Sequence, residues 1–207
     1  MTPSDASRRA ATEDLPLLSL TPRSWGELAA DNLAVFLSDH AVCEQQAALF
    51  ALNLVARYPE DEELVESMCA LAAEEVVHLR RVANLLHRRG LSVGRRRSNP
   101  YVQGLRARVR TEREPQLKVD RLLVGALIEA RSCERFTRLL EVIAGRDPEV
   151  ERLLADLGPA EKRHWKMFHD LASREVEAAW FDAHWREWLE AEHELISARG
   201  TSPTVHG

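Results

Sequence analysis

Several features that are common in proteins are scarce in this sequence of 207 residues. Phe, Trp and Tyr make up only 6% of it, and no β-branched segment alternates with polar residues over the length of a strand, which argues against a sheet. No apolar run approaches the roughly 18 residues that cross a bilayer, so we expect no membrane association. The first thirty residues lack a signal-like apolar run, and the three cysteines cannot all pair internally. These absences favour a reducing, cytoplasmic environment.

Lysine is also scarce, with three residues beside 25 arginines, and the net charge of −5 on its own argues mildly against a nucleic-acid partner. The charge is unevenly distributed, however. From Arg80 to Arg113 there are eleven arginines and one acid, Glu112, so this window carries +10 and the rest of the chain carries −15. The clustering therefore predicts a basic surface on an acidic protein.

After the first 24 residues, the sequence is predicted to be helical almost throughout. In four segments, apolar residues recur at alternating steps of four and three, which keeps them on one face of a helix. These segments span residues 30–55, 64–85, 122–143 and 150–171. A fifth amphipathic segment runs from about Ser173 to Arg199. Gly158 and Pro159 are predicted to kink or restart the fourth helix, because proline disrupts a helix interior.

Short connections join the first helix to the second and the third to the fourth, whereas more than twenty residues from Gly90 to Pro115 join the two pairs. This layout predicts an all-α four-helix bundle with a long basic crossover between helices 2 and 3 and an extra C-terminal helix. We expect an irregular arm over residues 1–24, one helical domain over 25–199 and a flexible tail over 200–207.

Six polar residues occupy positions on the apolar stripes of these four helices. They are Glu44, Glu75, His78, Glu129, Glu161 and His164. Burying four carboxylates without partners would cost several kcal/mol each, and bound cations remove that cost. Two of the helices carry a Glu-x-x-His motif, whose spacing places both side chains on one face. A single glutamate precedes each motif by 31 or 32 residues, so the pattern is one Glu plus Glu-x-x-His, twice. This is the carboxylate di-iron arrangement.

Three neighbouring residues are further candidates, one as a ligand and two as hydrogen-bond partners of ligands. Glu134 lies off the stripe and breaks the repeat, so Glu129 is preferred. Glu74 points about 100° away from Glu75 and is either a surface residue or a hydrogen-bond partner of an imidazole. His40, one turn before Glu44, is either a partner of that ligand or a structural histidine. The ligand types suit iron and permit manganese.

Three segments carry a resemblance to a known family. They are Ala-Val-Cys-Glu-Gln-Gln-Ala-Ala at 41–48, Ala-Glu-Glu-Val-Val-His at 73–78 and Leu-Val-Gly-Ala-Leu-Ile-Glu-Ala-Arg-Ser-Cys-Glu-Arg-Phe at 123–136. Together they resemble the tRNA 2-methylthio-N6-isopentenyladenosine hydroxylases, which are ferritin-like di-iron monooxygenases. The resemblance implies two iron ions held by the same six residues, O₂ as co-substrate, hydroxylation of the isopentenyl side chain, and a tRNA anticodon loop as partner. The chain has no flavin or iron–sulfur motif, so an external reductase is expected.

A single-stranded RNA loop is recognised through phosphate contacts and base stacking. We expect the first from Arg95, Arg96, Arg97, Arg106, Arg108 and Arg110, and the second from Tyr101. A di-iron oxygenase acting on a small metabolite, a ferritin-like ferroxidase or iron-storage protein, and a metal-free helical module are the alternatives. The sequence leaves open whether the chain is a monomer or a dimer.

Overall fold

The structure, a computed structural model, describes residues 14–95, 99–110, 113–198 and 202–206, and its regular elements in these ranges are all helices. The seven helices are α1 (Arg23–Asp31), α2 (Leu33–Arg57), α3 (Glu62–Arg88), α4 (Pro100–Arg106), α5 (Gln116–Ile143), α6 (Pro148–Ser173) and α7 (Ala178–Ser197). No helix within these ranges combines the length and apolarity that a membrane crossing requires. The all-α prediction is confirmed, and α2, α3, α5, α6 and α7 correspond to the five predicted helices.

The chain divides into two compact units, and residues 25–199 contribute to both. The α2–α3 unit comprises the described residues within 31–97 and 203–205. The α5–α6 unit comprises those within 1–30, 98–202 and 206–207, and so includes α4 and α7. Each unit is built around one helical hairpin.

In the α2–α3 unit, local signals define the ends of the helices. The Asp61 carboxylate accepts a hydrogen bond from Leu64 N at 3.0 Å, which caps the start of α3. Gly90 follows the end of α3 with a positive φ of 69°, a conformation that glycine adopts without strain. The apolar stripes of both helices are buried, with Leu37 and Met68 each fully inaccessible to solvent.

In the α5–α6 unit, Asp147 caps α6 by accepting from Val150 N at 3.2 Å, and Pro148 occupies the first turn. α5 and α6 approach closely at Gly125, where an added Cβ would lie 2.9 Å from the Phe168 ring. Glycine is therefore required at that position by packing.

Four features differ from the sequence-based expectations. Asn32 separates α1 from α2, and the crossover contains the short helix α4, which Asn99 caps by accepting from Val102 N at 3.1 Å. α6 continues through Pro159 without restarting, and buried side chains on both flanking turns oppose the roughly 3 kcal/mol that an interior proline costs. The predicted flexible tail is wrong for residues 204–206, which are buried.

Candidate metal centre

Glu44 of α2 and the Glu75–His78 pair of α3 form a buried cluster within the α2–α3 unit. Each of these three residues is at most 4% exposed, and one potential ligand atom from each lies within 4.8 Å of the others. His78 Nδ1 is 3.4 Å from Glu75 Oε2 and 3.8 Å from Glu44 Oε2. Two carboxylates and an imidazole thus converge, as expected from the i, i+3 spacing within α3.

The electrostatics of this cluster favour a cation. Burial, and then hydrogen bonding and repulsion from Glu75, raise the pKa of Glu44 well above its usual value. Burial lowers the pKa of His78, but the two carboxylates outweigh that effect and raise it to about 9. Two buried carboxylates therefore need a positive charge beside them, and a divalent metal ion supplies one.

The α5–α6 unit contains a matching cluster. Glu129 of α5 and the Glu161–His164 pair of α6 are 5%, 3% and 4% exposed, and one ligand atom from each lies within 4.8 Å of the others. His164 Nδ1 is 3.7 Å from Glu129 Oε2. Because α6 is continuous through Pro159, Glu161 and His164 keep the one-face spacing that the sequence predicts.

Three residues near the clusters, Glu134, Glu74 and His40, have different surroundings. Glu134 accepts hydrogen bonds from Thr21 N and Oγ1 at 2.8 and 2.6 Å and pairs with Arg131, so its carboxylate is engaged away from the cluster. Glu74 Oε1 is 3.9 Å from His78 Nε2, beyond hydrogen-bond distance, and its side chain is 38% exposed. His40 Nε2 is 2.5 Å from Glu44 Oε1, which favours its role as a partner of that carboxylate. Burial lowers the pKa of His40 to about 4.

The predicted RNA-binding arginines differ in their surroundings. Arg95 and Arg106 are exposed, and Arg108 is exposed while its guanidinium pairs with Glu194 at 2.8 Å. Arg110 is anchored, since its backbone N and its Nε both donate to Asp120 Oδ2. Arg96 and Arg97 lie outside the described residues.

The prediction that Tyr101 stacks on an RNA base is wrong. Tyr101 is fully buried, its ring stacks on His206 with centroids 5.4 Å apart, and its hydroxyl donates to Glu192 Oε1 at 3.0 Å. Neither face of the ring is open to solvent. The spacing of Tyr101 and Leu105, four residues apart after a helix-capping Asn-Pro, is the signal that indicates an inward-facing helical stripe.

A buried charge network also connects parts of the α5–α6 unit. The Arg131 guanidinium donates to Glu192 Oε1 and Oε2 at 2.9 and 3.0 Å, to Glu134 Oε2 at 3.0 Å and to the backbone oxygen of Ser19 at 3.1 Å. Arg131, Glu134 and Glu192 are at most 1% exposed. The sequence signal for this network is the set of charges within Glu-Ala-Arg-Ser-Cys-Glu-Arg at 129–135, directly after the apolar run at 122–128.

Known proteins are similar to this chain in sequence and in structure. A family model described as tRNA-(MS[2]IO[6]A)-hydroxylase (MiaE) matches residues 11–207. A relative from Pseudomonas putida, named tRNA 2-(methylsulfanyl)-N(6)-isopentenyladenosine(37) hydroxylase, is 41% identical over 152 residues, which are 73% of this chain and 72% of the relative. A relative of the same name from Salmonella typhimurium is 28% identical over 225 residues, and the match covers 85% of this chain and 82% of the relative.

Among solved structures, "Protein 43 with aldehyde deformylating oxygenase activity" from Synechococcus is 32% identical, with a TM-score of 0.85 over 92% of this chain and 95% of that one. The helical hairpins and their carboxylate–histidine clusters therefore define a ferritin-like protein of the di-iron oxygenase class. Within that class, the chain belongs to the tRNA-(MS[2]IO[6]A)-hydroxylase family, a family of enzymes.

Proposed function

We propose that this chain hydroxylates the isopentenyl side chain of 2-methylthio-N6-isopentenyladenosine in tRNA, with O₂ as co-substrate and two iron ions as cofactor. The observation that carries the proposal is the repeated set of one Glu and one Glu-x-x-His, buried in both units of a chain that belongs to the hydroxylase family. Four buried carboxylates and two imidazoles form a donor set that suits iron and permits manganese.

The six residues would bind the metal ions in two sets of three, one set in each unit. Glu44 and Glu129 would each bind one ion terminally, His78 and His164 would each supply one nitrogen, and Glu75 and Glu161 would each add a carboxylate to the cluster of their own unit. When bound, the irons supply the chemistry that side chains lack, the activation of O₂ toward an unreactive C–H bond. The protein supplies the charge, geometry and burial that make this donor set available.

Apolar side chains one turn from the ligands keep water away. Leu71 and Val82 flank the Glu75–His78 motif on α3 and are 2% and 0% exposed. Leu157 and Phe168 flank the Glu161–His164 motif on α6 and are fully buried. Exclusion of water strengthens the electrostatic interactions of the ligands and protects a reactive centre from side reactions.

We further propose that tRNA binds through the basic crossover. Arg95, Arg106 and Arg108 are exposed there, and Arg96 and Arg97 add to the same run of positive charge in the sequence. Arg110 contributes by anchoring the end of the crossover to Asp120 on α5. An external reductase would deliver electrons, and the reducing cytoplasm is the expected compartment for a tRNA-modifying enzyme.

One observation favours a second candidate, an oxygenase acting on a small metabolite. The solved structure that aligns with 92% of this chain carries aldehyde deformylating oxygenase activity in its name. The basic window of +10 between Arg80 and Arg113 favours the RNA substrate instead, because a small neutral substrate has no use for it.

Mass spectrometry of tRNA nucleosides separates the two candidates. Cells that lack the gene should lose the hydroxylated isopentenyladenosine, and the wild-type gene should restore it. Glu75→Gln should fail to restore it, while Glu66→Gln, an exposed glutamate on the same helix, should restore it as well as wild type. An unchanged nucleoside profile after deletion would refute the tRNA substrate.

A further inference from the structure

An additional side chain holds the Glu44 carboxylate. His40 lies one turn before Glu44 on α2, is 1% exposed, and places Nε2 at 2.5 Å from Glu44 Oε1. The other oxygen of the same carboxylate, Oε2, is the one that lies 3.8 Å from His78 Nδ1. The two oxygens of Glu44 therefore have different partners.

This arrangement favours one oxygen of Glu44 for metal binding over the other. A metal-bound carboxylate is ionised and can only accept hydrogen bonds, so the imidazole of His40 must donate its Nε2–H to Oε1. That bond uses one lone pair of Oε1 and favours Oε2, on the side of His78, as the oxygen that binds the metal. It also fixes the terminal torsion of Glu44, which is broad in the absence of such a partner.

The α5–α6 unit has no equivalent of His40 on its own helix. The residue four positions before Glu129 is Gly125, which cannot donate a side-chain hydrogen bond. A Cβ added at Gly125 would lie 2.9 Å from carbons of the Phe168 ring, so an apolar ring fills the space beside this position. The two clusters therefore share their ligand spacing and differ in how their terminal carboxylates are supported.

We propose that His40 is a positioning residue that holds Glu44 as a single-oxygen ligand, and that the two metal sites consequently differ in affinity. The inference rests on the two-metal centre of the proposed function. The site that includes Glu44 and His78 binds its ion more tightly, because its carboxylate is ordered before binding. The site that includes Glu129 and His164 binds more weakly, since no side chain one turn earlier on α5 donates to its carboxylate.

The test is an anaerobic titration of the full chain with ⁵⁷Fe²⁺, with bound iron measured by equilibrium dialysis and each site followed by Mössbauer spectroscopy. Wild type should load in two steps. His40→Phe keeps a ring but removes the donor, and should weaken the tight step about 10- to 100-fold while changing one of the two iron signals. His40→Gln keeps an N–H donor and should restore most of the affinity. If His40→Phe does not fold, His40→Asn, whose amide is too short to reach, replaces it.

Three variants make the outcome specific. Phe36→Leu loosens the same part of the core, since Phe36 is fully buried 5.8 Å from the His40 ring, and should lower stability without changing iron affinity. His78→Ala should abolish the tight step and His164→Ala the weak one. The inference is overturned if His40→Phe leaves both steps unchanged or weakens them equally. A wild-type chain that binds no iron would overturn the proposed function as well.

Discussion

Glu75 illustrates why the ligand residues oppose folding when no metal is bound. It is 1% exposed on α3, and its charge is one cause of the raised pKa of Glu44. A buried carboxylate of this kind is retained for binding, because a neutral residue of the same size would cost less to bury. The stability of the folded chain should therefore depend on the metal.

We expect Glu75→Gln to separate stability from metal binding. The neutral amide removes a buried charge, so the metal-free variant should melt at the same temperature as wild type or higher. Anaerobic Fe²⁺ at 100 times its Kd should stabilise wild type by about 2.7 kcal/mol per site, and the variant by much less. Differential scanning calorimetry with and without Fe²⁺ measures both effects. A metal-free variant that melts well below wild type would contradict this account of Glu75.

Single residues also show what sequence reasoning can reach. The positions of the proposed ligands were predictable, because a carboxylate among Leu, Val and Ala at helical spacing is costly without a cation. The hydrogen bond between His40 and Glu44 was not predictable, since an i, i+4 spacing is compatible both with such a bond and with simple burial of the imidazole. Tyr101 was predicted wrongly, because a residue in a long connection has no assigned face until the helix that carries it is known.

At the scale of elements, α5 is held by charges as well as by apolar packing. Arg131 donates hydrogen bonds to three segments. Its acceptors are Glu134 on α5 itself, Glu192 on α7, and the backbone oxygen of Ser19 in the segment before α1. Because Arg131 lies two residues after Glu129 on the same helix, this network holds the part of α5 that carries a proposed ligand. The motif at 123–136 thus combines a proposed ligand with a structural network.

Glu192→Ala should destabilise the protein strongly, because it removes the bidentate partner of a fully buried guanidinium. Breaking a buried ion pair by removing one partner typically costs about 3–5 kcal/mol. The double variant Arg131→Met/Glu192→Leu should recover part of that loss, since it removes the unpaired guanidinium and leaves Glu134 with its two hydrogen bonds from Thr21. Urea unfolding monitored by circular dichroism gives the free energies. A cost below about 1 kcal/mol for Glu192→Ala would show that the network contributes little.

Element boundaries were predictable wherever a local signal acts alone. Asp61, Gly90 and Asp147 mark helix ends through a side-chain cap or a positive φ, and each lies just outside one of the predicted segments 64–85 and 150–171. Pro159 and α4 depend on tertiary contacts instead. Packing on both sides of Pro159 maintains α6, and burial of Tyr101 and Leu105 stabilises a helix of seven residues that would not persist alone.

At the scale of the whole molecule, the net charge of −5 conceals a division between a +10 window and a −15 remainder. Four of the acids in that remainder are the glutamates proposed as metal ligands, which are buried and compensated when metal is bound. The charge that reaches solvent is therefore less negative than the total suggests. This division is compatible with binding an anionic polymer at the crossover.

The crossover hypothesis makes a quantitative prediction about salt. The triple variant Arg95→Ala/Arg106→Ala/Arg108→Ala removes three exposed cations, and for a single-stranded RNA loop each lost phosphate contact should reduce the slope of log K against log salt by about 0.7. Binding of an anticodon stem-loop RNA should thus weaken most at low salt and converge toward wild type as salt rises. Fluorescence anisotropy at several salt concentrations measures the slope.

Removing the same number of exposed arginines elsewhere, with Arg152→Ala/Arg163→Ala/Arg186→Ala, provides the matched control. Equal slopes for the two triple variants would mean that net charge, and not the crossover, governs binding.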